Sequence, residues 1–176
     1  MSKLDGKRIL IFVEDIYEDL ELWYPKLRLE EAGAEVIVAG PEAGRIYKGK
    51  NGYPCKSDAA IDDMKADDFD GLVLAGGFAP DKLRRLDKVK EIISTMHEQG
   101  KVIAHICHGG WMAISAKIMK GYTCTATTAL KDDLENAGAV FIDEPLVVDR
   151  NMISSRRPAD LPVFCPAIIE ALLKHE

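Results

Sequence analysis

Several features that define common protein classes are missing from this chain of 176 residues. No stretch approaches the roughly 20 consecutive apolar residues that cross a bilayer, and the first residues lack the long apolar segment of a signal peptide. We therefore expect a cytoplasmic protein with no membrane partner. The 4 cysteines are scattered and form no Cys-x-x-Cys pair, which argues against zinc knuckles and thioredoxin-type motifs, so free thiols and no metal site are expected.

An excess of positive charge is missing as well. The net charge is −6, whereas a nucleic-acid groove or an anionic membrane attracts clustered positive charge. Nucleic acid is therefore not an expected partner. The chain also lacks the glycine-rich phosphate motifs of nucleotide-binding proteins, so no cofactor is expected. A flavin or nucleotide site would rest on analogy of fold alone.

The apolar content, 47%, and the charged content, 30%, are those of a globular protein. Strand and helix signals alternate along the chain, which predicts an α/β fold with a mostly parallel central sheet and helices on both faces. We expect one domain over residues 1–176, with a hairpin or loop at 45–57. The main predicted strands are 7–13, 35–39, 71–75 and 102–106, and the main predicted helices are 18–33, 87–99, 109–120 and 159–174.

Reactive residue types concentrate in three turns that follow predicted strands: 14–21, 76–81 and 107–110. In open α/β sheets the ligand crevice lies at the carboxyl ends of the strands. The three turns should therefore meet at one edge of the sheet and form the functional site.

Cys107 ends an apolar strand, and Gly109 and Gly110 open the helix that follows. This pattern predicts a nucleophile elbow, a sharp turn that lifts one side chain into the ligand crevice. Free N–H groups at the start of the helix should lower the pKa of the thiol well below its ordinary value. The alternative is a buried, inert cysteine, which is what we expect at the other three positions, Cys55, Cys124 and Cys165.

The first turn supplies two candidate carboxyl groups, Glu18 and Glu21, which lie three residues apart and share a helix face. Either one beside Cys107 would have a raised pKa and could donate a hydrogen bond to the thiolate. The spacing does not choose between them. The glycine turn at 76–81 is either an oxyanion hole or a simple tight turn.

Histidines flank the cysteine on both sides. His108 is the candidate base, but adjacent side chains usually diverge, so it needs an orienting carboxylate from elsewhere. His105 lies inside the apolar strand and is expected to be a hydrogen-bonded core residue. A metal site built from these three residues is disfavoured, because ligands on a single strand end rarely converge.

Several motifs in this order resemble the ThiJ/PfpI superfamily, and most closely its PfpI-like intracellular proteases. The similarity runs nearly end to end. The motifs that carry it are Glu18-Asp19-Leu20-Glu21-Leu22-Trp23-Tyr24-Pro25, Leu72-Val73-Leu74-Ala75-Gly76-Gly77-Phe78-Ala79-Pro80-Asp81, Ile106-Cys107-His108-Gly109, Ile114-Ser115-Ala116, Lys131-Asp132-Asp133, Ser154-Ser155-Arg156 and Pro158-Ala159-Asp160-Leu161.

The resemblance implies a flavodoxin-like sandwich with Cys107 as the nucleophile. It assigns the buried family glutamate to Glu21, and it implies oxyanion donors at the backbone of Gly76, Gly77 and His108. Glu18 and Gly109 are expected to line the substrate site.

The resemblance further implies a homodimer, or a hexamer, in which the acidic residue after the glycine turn orients the histidine of a neighbouring subunit. Here that residue is Asp81, one methylene shorter than the usual glutamate. Gly110 and Trp111 stand where proline and glutamine are usual. Trp111 either lines the site or packs beneath the elbow.

Two functions follow as expectations. The first is a cysteine-dependent hydrolase of the PfpI type that acts on carbonyl substrates, as a protease, a deglycase or a glyoxalase-like enzyme. The second is a redox or stress-response protein whose Cys107 is oxidised and whose role is chaperone-like rather than catalytic.

Overall fold

The computed structural model describes residues 3–175 and is organised around a seven-stranded sheet of order β10-β11-β7-β6-β1-β2-β5. Every neighbouring pair in this sheet is parallel except β10 and β11. Two smaller sheets pair β3 with β4 and β8 with β9. The strands are β1 (Arg8–Phe12), β2 (Glu35–Gly40), β3 (Ile46–Lys48), β4 (Pro54–Lys56), β5 (Ala59–Ala60), β6 (Gly71–Leu74), β7 (Val102–Ile106), β8 (Thr123–Cys124), β9 (Val140–Phe141), β10 (Val147–Asp149) and β11 (Met152–Ser155).

Helices surround the sheet. Every residue of the central strands β6 and β7 is buried, as happens when both faces of a parallel sheet are covered. Helix α1 packs against α6, and α3 packs against α4. The predicted α/β fold with a mostly parallel sheet is confirmed. The helices are α1 (Asp19–Glu31), α2 (Ala79–Leu83), α3 (Asp87–Glu98), α4 (Gly110–Ser115), α5 (Lys131–Asn136) and α6 (Leu161–Lys174).

Helix α4 is shorter than predicted, which corrects the helix expected over 109–120. It ends at Ser115, and Lys117 has a φ of 61°, a left-handed conformation that cannot continue a right-handed helix. The chain then turns, and Ile118 and Met119 enter the core. Two short helices, α2 and α5, were not predicted. No helix within residues 3–175 is long and apolar enough to span a bilayer.

The segment 45–57 contains a β-hairpin, which was one of the two structures predicted for it. Its strands β3 and β4 pair from Ile46 with Lys56 to Lys48 with Pro54. Asp19 fixes the tip of the hairpin against α1, because its carboxylate accepts hydrogen bonds from the N–H groups of Asn51 (3.0 Å) and Tyr53 (2.9 Å).

Candidate active site

Cys107 occupies a strained turn between β7 and α4. Its φ is 57°, in the left-handed region that costs an L-residue other than glycine roughly 1 kcal/mol or more. A single 3₁₀ turn, Cys107–Gly109, carries the chain into the helix. Cys107 is partly exposed, whereas Cys55, Cys124 and Cys165 are buried, as expected for core cysteines. The backbone therefore has the shape predicted for a nucleophile elbow.

Gly109 makes this turn possible because it packs directly against the neighbouring strand. A Cβ at this position would lie 2.1 Å from the carbonyl oxygen of Leu74, far inside contact distance. Gly109 therefore has a packing role, and its expected place in the substrate site stays a prediction.

Glu21 reaches the elbow from the first turn of α1 and is fully buried. Its Oε1 accepts a hydrogen bond of 2.9 Å from the N–H of Gly76. A Cβ on Gly76 would lie 2.4 Å from Glu21 Oε1 and 2.9 Å from the Cβ of Cys107, so this glycine is held between the two residues. The three turns singled out in the sequence do meet at one edge of the sheet.

The pKa of Glu21 is raised to about 8. Burial is the largest cause, and the charge of Glu18 is the second; the Gly76 N–H, Lys50 and the Cys107 thiol act in the opposite direction. Glu21 is therefore mostly protonated at neutral pH. Because Oε1 is occupied by Gly76 and Oε2 has no hydrogen-bond partner among the described residues, the proton belongs on Oε2.

The prediction of a lowered pKa for the Cys107 thiol is wrong. Burial, followed by the charge of Glu21, raises it to about 12, and the N–H of His108 lowers it only in part. The prediction rested on the N–H groups at the helix start, whereas the desolvation of the sulfur, which local sequence does not show, outweighs them.

The two raised pKa values describe one coupled pair. Two negative charges in one buried site are disfavoured, so Glu21 and Cys107 do not ionise together near neutral pH. When Glu21 keeps its proton, the second-largest cause of the raised pKa of Cys107 disappears. A thiolate at Cys107 therefore requires Glu21 to stay protonated, which corresponds to the donor role predicted for a carboxyl beside the cysteine.

His108 is positioned to exchange a proton with the thiol. Its Nδ1 lies 3.4 Å from Cys107 Sγ, and burial, followed by Lys50, lowers the pKa of its half-buried ring. A neutral imidazole is a proton acceptor at pH 7. His108 Nε2 makes no hydrogen bond within residues 3–175, so no carboxylate among these residues orients the ring.

The expected oxyanion donors differ in their availability. The N–H of Gly76 is already bonded to Glu21, which corrects its assignment as a free donor. The N–H of Gly77 has no acceptor among the described residues, and the N–H of His108 points at the sulfur. Of the three expected donors, the N–H groups of Gly77 and His108 are therefore not taken up by an oxygen atom among the described residues.

Two acidic candidates have partners of their own. Glu18 is the N-cap of α1 and accepts a hydrogen bond of 2.8 Å from the N–H of Glu21, so it positions Glu21 instead of lining an open substrate site. Asp81 lies on α2, is exposed, and pairs with Arg85 at 2.6 Å. It does not contact His108 of its own chain.

Trp111 packs partly against the core and lies beside His108. Its ring meets the His108 ring edge-on, with centroids 5.0 Å apart, and its indole N–H donates to the carboxylate of Asp133 (3.0 Å). The guanidinium of Arg84 lies 5.3 Å above the same ring. One edge of the His108 ring is therefore covered by the Trp111 ring.

His105 is a core residue, as predicted, but it is not hydrogen-bonded. It is fully buried, and neither ring nitrogen has a partner among the described residues. Burial lowers its pKa to about 4, so the ring is neutral at pH 7. Its Nδ1 would lie 3.3 Å from a Cβ on Gly110, which places it directly under the start of α4.

Sequence reasoning missed Lys50. This residue follows Gly49 in the tip of the β3–β4 hairpin, and its charge acts on Glu21, Cys107 and His108 together. Its N–H donates to the carbonyl oxygen of Tyr17. The only local signal was the hairpin itself, since the contact that brings it to the site is made by Asp19, more than thirty residues earlier in the chain.

Known proteins match both the sequence and the fold. The model of the DJ-1/PfpI family matches residues 7–171. The chain belongs to the DJ-1/PfpI family. Its Cys107 elbow and buried Glu21 therefore stand at the positions that the resemblance assigned to the family's reactive cysteine and glutamate.

Two curated relatives and one solved structure show the range of names in the family. The chain is 45% identical to Deglycase TK1284 of Thermococcus kodakarensis, over 94% of this chain and 99% of the relative. It is 38% identical to General stress protein 18 of Bacillus subtilis, over 90% and 94%. The solved structure is a two-domain protein of Anabaena variabilis with DJ-1/ThiJ/PfpI-like and ferritin-like domains; it superposes with a TM-score of 0.93 at 39% identity, over 95% of this chain and 48% of that one.

Proposed function

We propose that this protein is a cysteine-dependent hydrolase that acts on carbonyl carbons, with adducts of dicarbonyl compounds on amino or thiol groups as its preferred substrates. The observation that carries the proposal is the strained Cys107, whose Sγ lies 3.4 Å from His108 Nδ1. A relative named as a deglycase supports the choice of adducts over peptide bonds.

In the first step the sulfur of Cys107 adds to the carbonyl carbon of the substrate. A C–S bond forms, the thiol proton passes to His108 Nδ1, and the π electrons of the carbonyl become an alkoxide. The N–H groups of Gly77 and His108 stabilise this oxyanion. Glu21 remains protonated throughout, since its ionisation would place a second negative charge beside the sulfur.

For an adduct, the amine or thiol leaves the carbinol carbon before this addition: its bond to that carbon breaks, the carbinol hydroxyl becomes the carbonyl that Cys107 attacks, and the hydroxyl proton goes to the leaving group. In the second step the alkoxide takes the proton held by His108, and His108 moves the C–H proton of this carbon to the neighbouring carbonyl carbon, which leaves a thioester on Cys107 and a hydroxyl group on the neighbouring carbon. One water then cleaves the C–S bond of the thioester, so that the hydroxy acid is released and the thiol of Cys107 is restored. No oxidant or reductant is needed, because the two-carbon unit is oxidised at one carbon and reduced at the other.

The test compares Cys107→Ser with Cys55→Ala, a substitution at a buried thiol outside the site. The substrates are methylglyoxal adducts of N-acetylcysteine and N-acetyllysine, together with a peptide. Cys107→Ser should lower the release of free thiol and amine by at least about a thousandfold, whereas Cys55→Ala should leave it within a few fold. Full activity of Cys107→Ser on every substrate would overturn the proposal.

We further propose that the site is completed across a homodimer or hexamer interface by Asp81. Two features support this: His108 Nε2 has no partner within residues 3–175, and Asp81 is exposed, with only the exposed Arg85 beside it. A neighbouring Asp81 would orient the imidazole as a triad carboxylate does.

Mixing variants tests this arrangement. Asp81→Asn and Cys107→Ser subunits are each expected to be inactive, but a mixed oligomer contains sites with Cys107 from one subunit and Asp81 from the other. Recovered activity supports completion in trans. Activity no higher than that of Asp81→Asn alone, in mixed particles verified by light scattering, counts against it.

A second function is favoured by the relative named as a general stress protein and by the exposure of Cys107 alone among the four thiols. In this alternative, peroxide oxidises Cys107 to sulfenic and then sulfinic acid, with each peroxide reduced to water. Mass spectrometry after mild peroxide should then show two added oxygens on Cys107 and no turnover of adducts. Equal modification of all four thiols would contradict it.

A further inference from the structure

A surface cavity of about 550 Å³ is lined by Arg84 and Asp133, both of which contact Trp111. Its charged and polar lining consists of three cations, one carboxylate and one amide: Arg84, Lys117, Lys120, Asp133 and Asn136. The positive charges outnumber the negative by two. The chain as a whole has more acidic residues, 29, than basic ones, 23. The net charge of the cavity lining is therefore opposite in sign to the net charge of the protein.

The three cations lack carboxylate partners. Within residues 3–175, no carboxylate oxygen lies within 4.0 Å of Arg84, Lys117 or Lys120. The single lining carboxylate, Asp133, is engaged by Trp111. Most other arginines of the chain do have a carboxylate within this distance, namely Arg8, Arg28, Arg45, Arg85, Arg150 and Arg156.

Arg84 is held in place without a counter-ion. Its Nε donates to Ser115 Oγ at 2.8 Å, and its guanidinium lies over the Trp111 ring at 5.3 Å. Both contacts leave terminal N–H groups without a partner in the described residues. An arginine fixed in this way presents donors to an anion at little further cost in side-chain entropy.

Trp111 links the lining of the cavity to the residues around Cys107. Its ring lies against the His108 ring and under the Arg84 guanidinium, and its indole N–H donates to Asp133, which lines the cavity together with Arg84. A ligand with its carbonyl at Cys107 therefore reaches the cations if its chain is long enough to cross Trp111.

We propose that this cavity binds the phosphate monoester of an extended carbonyl substrate, such as a phosphorylated sugar or an adduct derived from one, whose carbonyl carbon lies at Cys107. The inference rests on the proposed function and names its substrate class. A phosphate dianion matches three cations offset by one carboxylate, and both arginine and lysine are good donors to phosphate oxygens.

Reversible addition of Cys107 to an aldehyde provides the assay. The sulfur forms a C–S bond with the carbonyl carbon, and the thiol proton ends on the carbonyl oxygen, so a hemithioacetal forms with no other reactant. Occupancy of Cys107 is measured as protection from iodoacetamide, using erythrose and erythrose 4-phosphate as a neutral and phosphorylated pair. Erythrose 4-phosphate should protect at a concentration at least about tenfold lower.

The variant Lys117→Gln/Lys120→Gln removes two of the cations and should abolish the advantage of the phosphate without changing protection by erythrose. The matched control is Lys56→Gln/Lys65→Gln, which removes two exposed lysines elsewhere and should keep the advantage. Equal protection by the two aldehydes in the native protein would overturn the proposal.

Titration with inorganic phosphate separates this inference from the proposed function. The Trp111 indole N–H resonance should shift with phosphate in the native protein and not in Lys117→Gln/Lys120→Gln. A shift of the Trp111 resonance without any protection of Cys107 by aldehydes would support the anion site and contradict the proposed hydrolase function. Protection by both aldehydes without a shift of this resonance would support the hydrolase function and contradict the anion site.

Discussion

Two polar clusters of this protein are built on opposite principles. In the first, Tyr122 Oη donates to Asn151 (2.8 Å) and contacts His97 Nε2 (2.9 Å), and Asn151 donates to the carbonyl oxygen of Lys101 (2.8 Å). The second is a set of buried atoms without partners among residues 3–175, namely Glu21 Oε2, both ring nitrogens of His105 and Thr125 Oγ1.

The difference separates stability from function. A buried polar group with its hydrogen bonds made adds a modest net stabilisation, whereas one without a partner costs about 1–3 kcal/mol. The first cluster therefore contributes to the stability of the fold, and the second reduces it. One of the unsatisfied groups, Glu21, lies beside the strained Cys107, where a neutral carboxyl next to the sulfur is the proposed means of catalysis. The predictions below test this contrast.

The largest effect on stability is expected for Glu21→Gln. The pKa of Glu21 in the folded protein, about 8, exceeds the ordinary value of 4.5, so the unfolded state loses its proton first as the pH rises. Stability conferred by the retained proton is full below pH 4.5 and is lost progressively up to pH 8, by on the order of 4 kcal/mol. Glu21→Gln should remove this loss, which denaturant unfolding at pH 4.5 and pH 8 measures. An equal pH-dependent loss in both proteins would contradict the account.

The second prediction has the opposite sign. The pKa of His105 is lowered to about 4 from 6.5, so the unfolded state gains a proton first as the pH falls. Stability from the neutral ring is full above pH 6.5 and is lost down to pH 4, by on the order of 3 kcal/mol. His105→Leu should therefore flatten the acid limb of the stability curve. Unchanged acid sensitivity would mean that His105 is not held neutral.

Tyr122→Phe probes the satisfied cluster. The lost hydroxyl bridges Asn151 and His97, so removing it leaves both groups short of a partner. We expect a loss of about 1–2 kcal/mol, with enzyme activity unchanged. Urea unfolding and the adduct assay measure the two quantities. A more stable variant would mean that the first cluster resembles the second.

The smallest effect is expected at the elbow itself. Cys107→Gly relieves the left-handed conformation, whereas Cys107→Ala removes the sulfur and keeps the strain. The glycine variant should therefore be the more stable of the two by about 1 kcal/mol, and both should be inactive. Thermal unfolding compares them, and an equal or lower Tm for Cys107→Gly would show that the turn is not strained.

The parts of this molecule that sequence predicts are those set by local pattern. The apolar run of β7, followed by Cys107 and a glycine pair, specifies both the buried strand and the turn that ends it. The meeting of three turns followed from the rule for parallel strands. From their spacing, Glu18 and Glu21 were equally good candidates for the carboxyl group beside Cys107. Only the three-dimensional structure shows that Glu18 caps the helix and that Glu21 lies close to Cys107.

What sequence did not predict depends on distant contacts. The raised pKa of Cys107 follows first from desolvation, which depends on how the whole chain packs, and second from the charge of Glu21, 86 positions away, whose place near the cysteine the resemblance implied but whose upward effect on the thiol pKa was not predicted. Lys50 is placed by a hairpin bound to Asp19. The early end of α4 reflects the left-handed Lys117, which lets the next two residues enter the core, and no capping residue in the sequence signals it.

The central claim is that Cys107 is a reactive nucleophile whose ionisation is coupled to Glu21. The most direct measurement is the pH dependence of Cys107 alkylation by iodoacetamide in the native protein and in Glu21→Gln, from pH 5 to pH 11. We predict that Cys107 is alkylated before the three buried thiols. The rate in the native protein should rise less than tenfold per pH unit near pH 8, where Glu21 ionises, and Glu21→Gln should follow a single titration and react faster above pH 8. Identical single-step profiles in the two proteins, or equal reactivity of all four thiols, would contradict the claim.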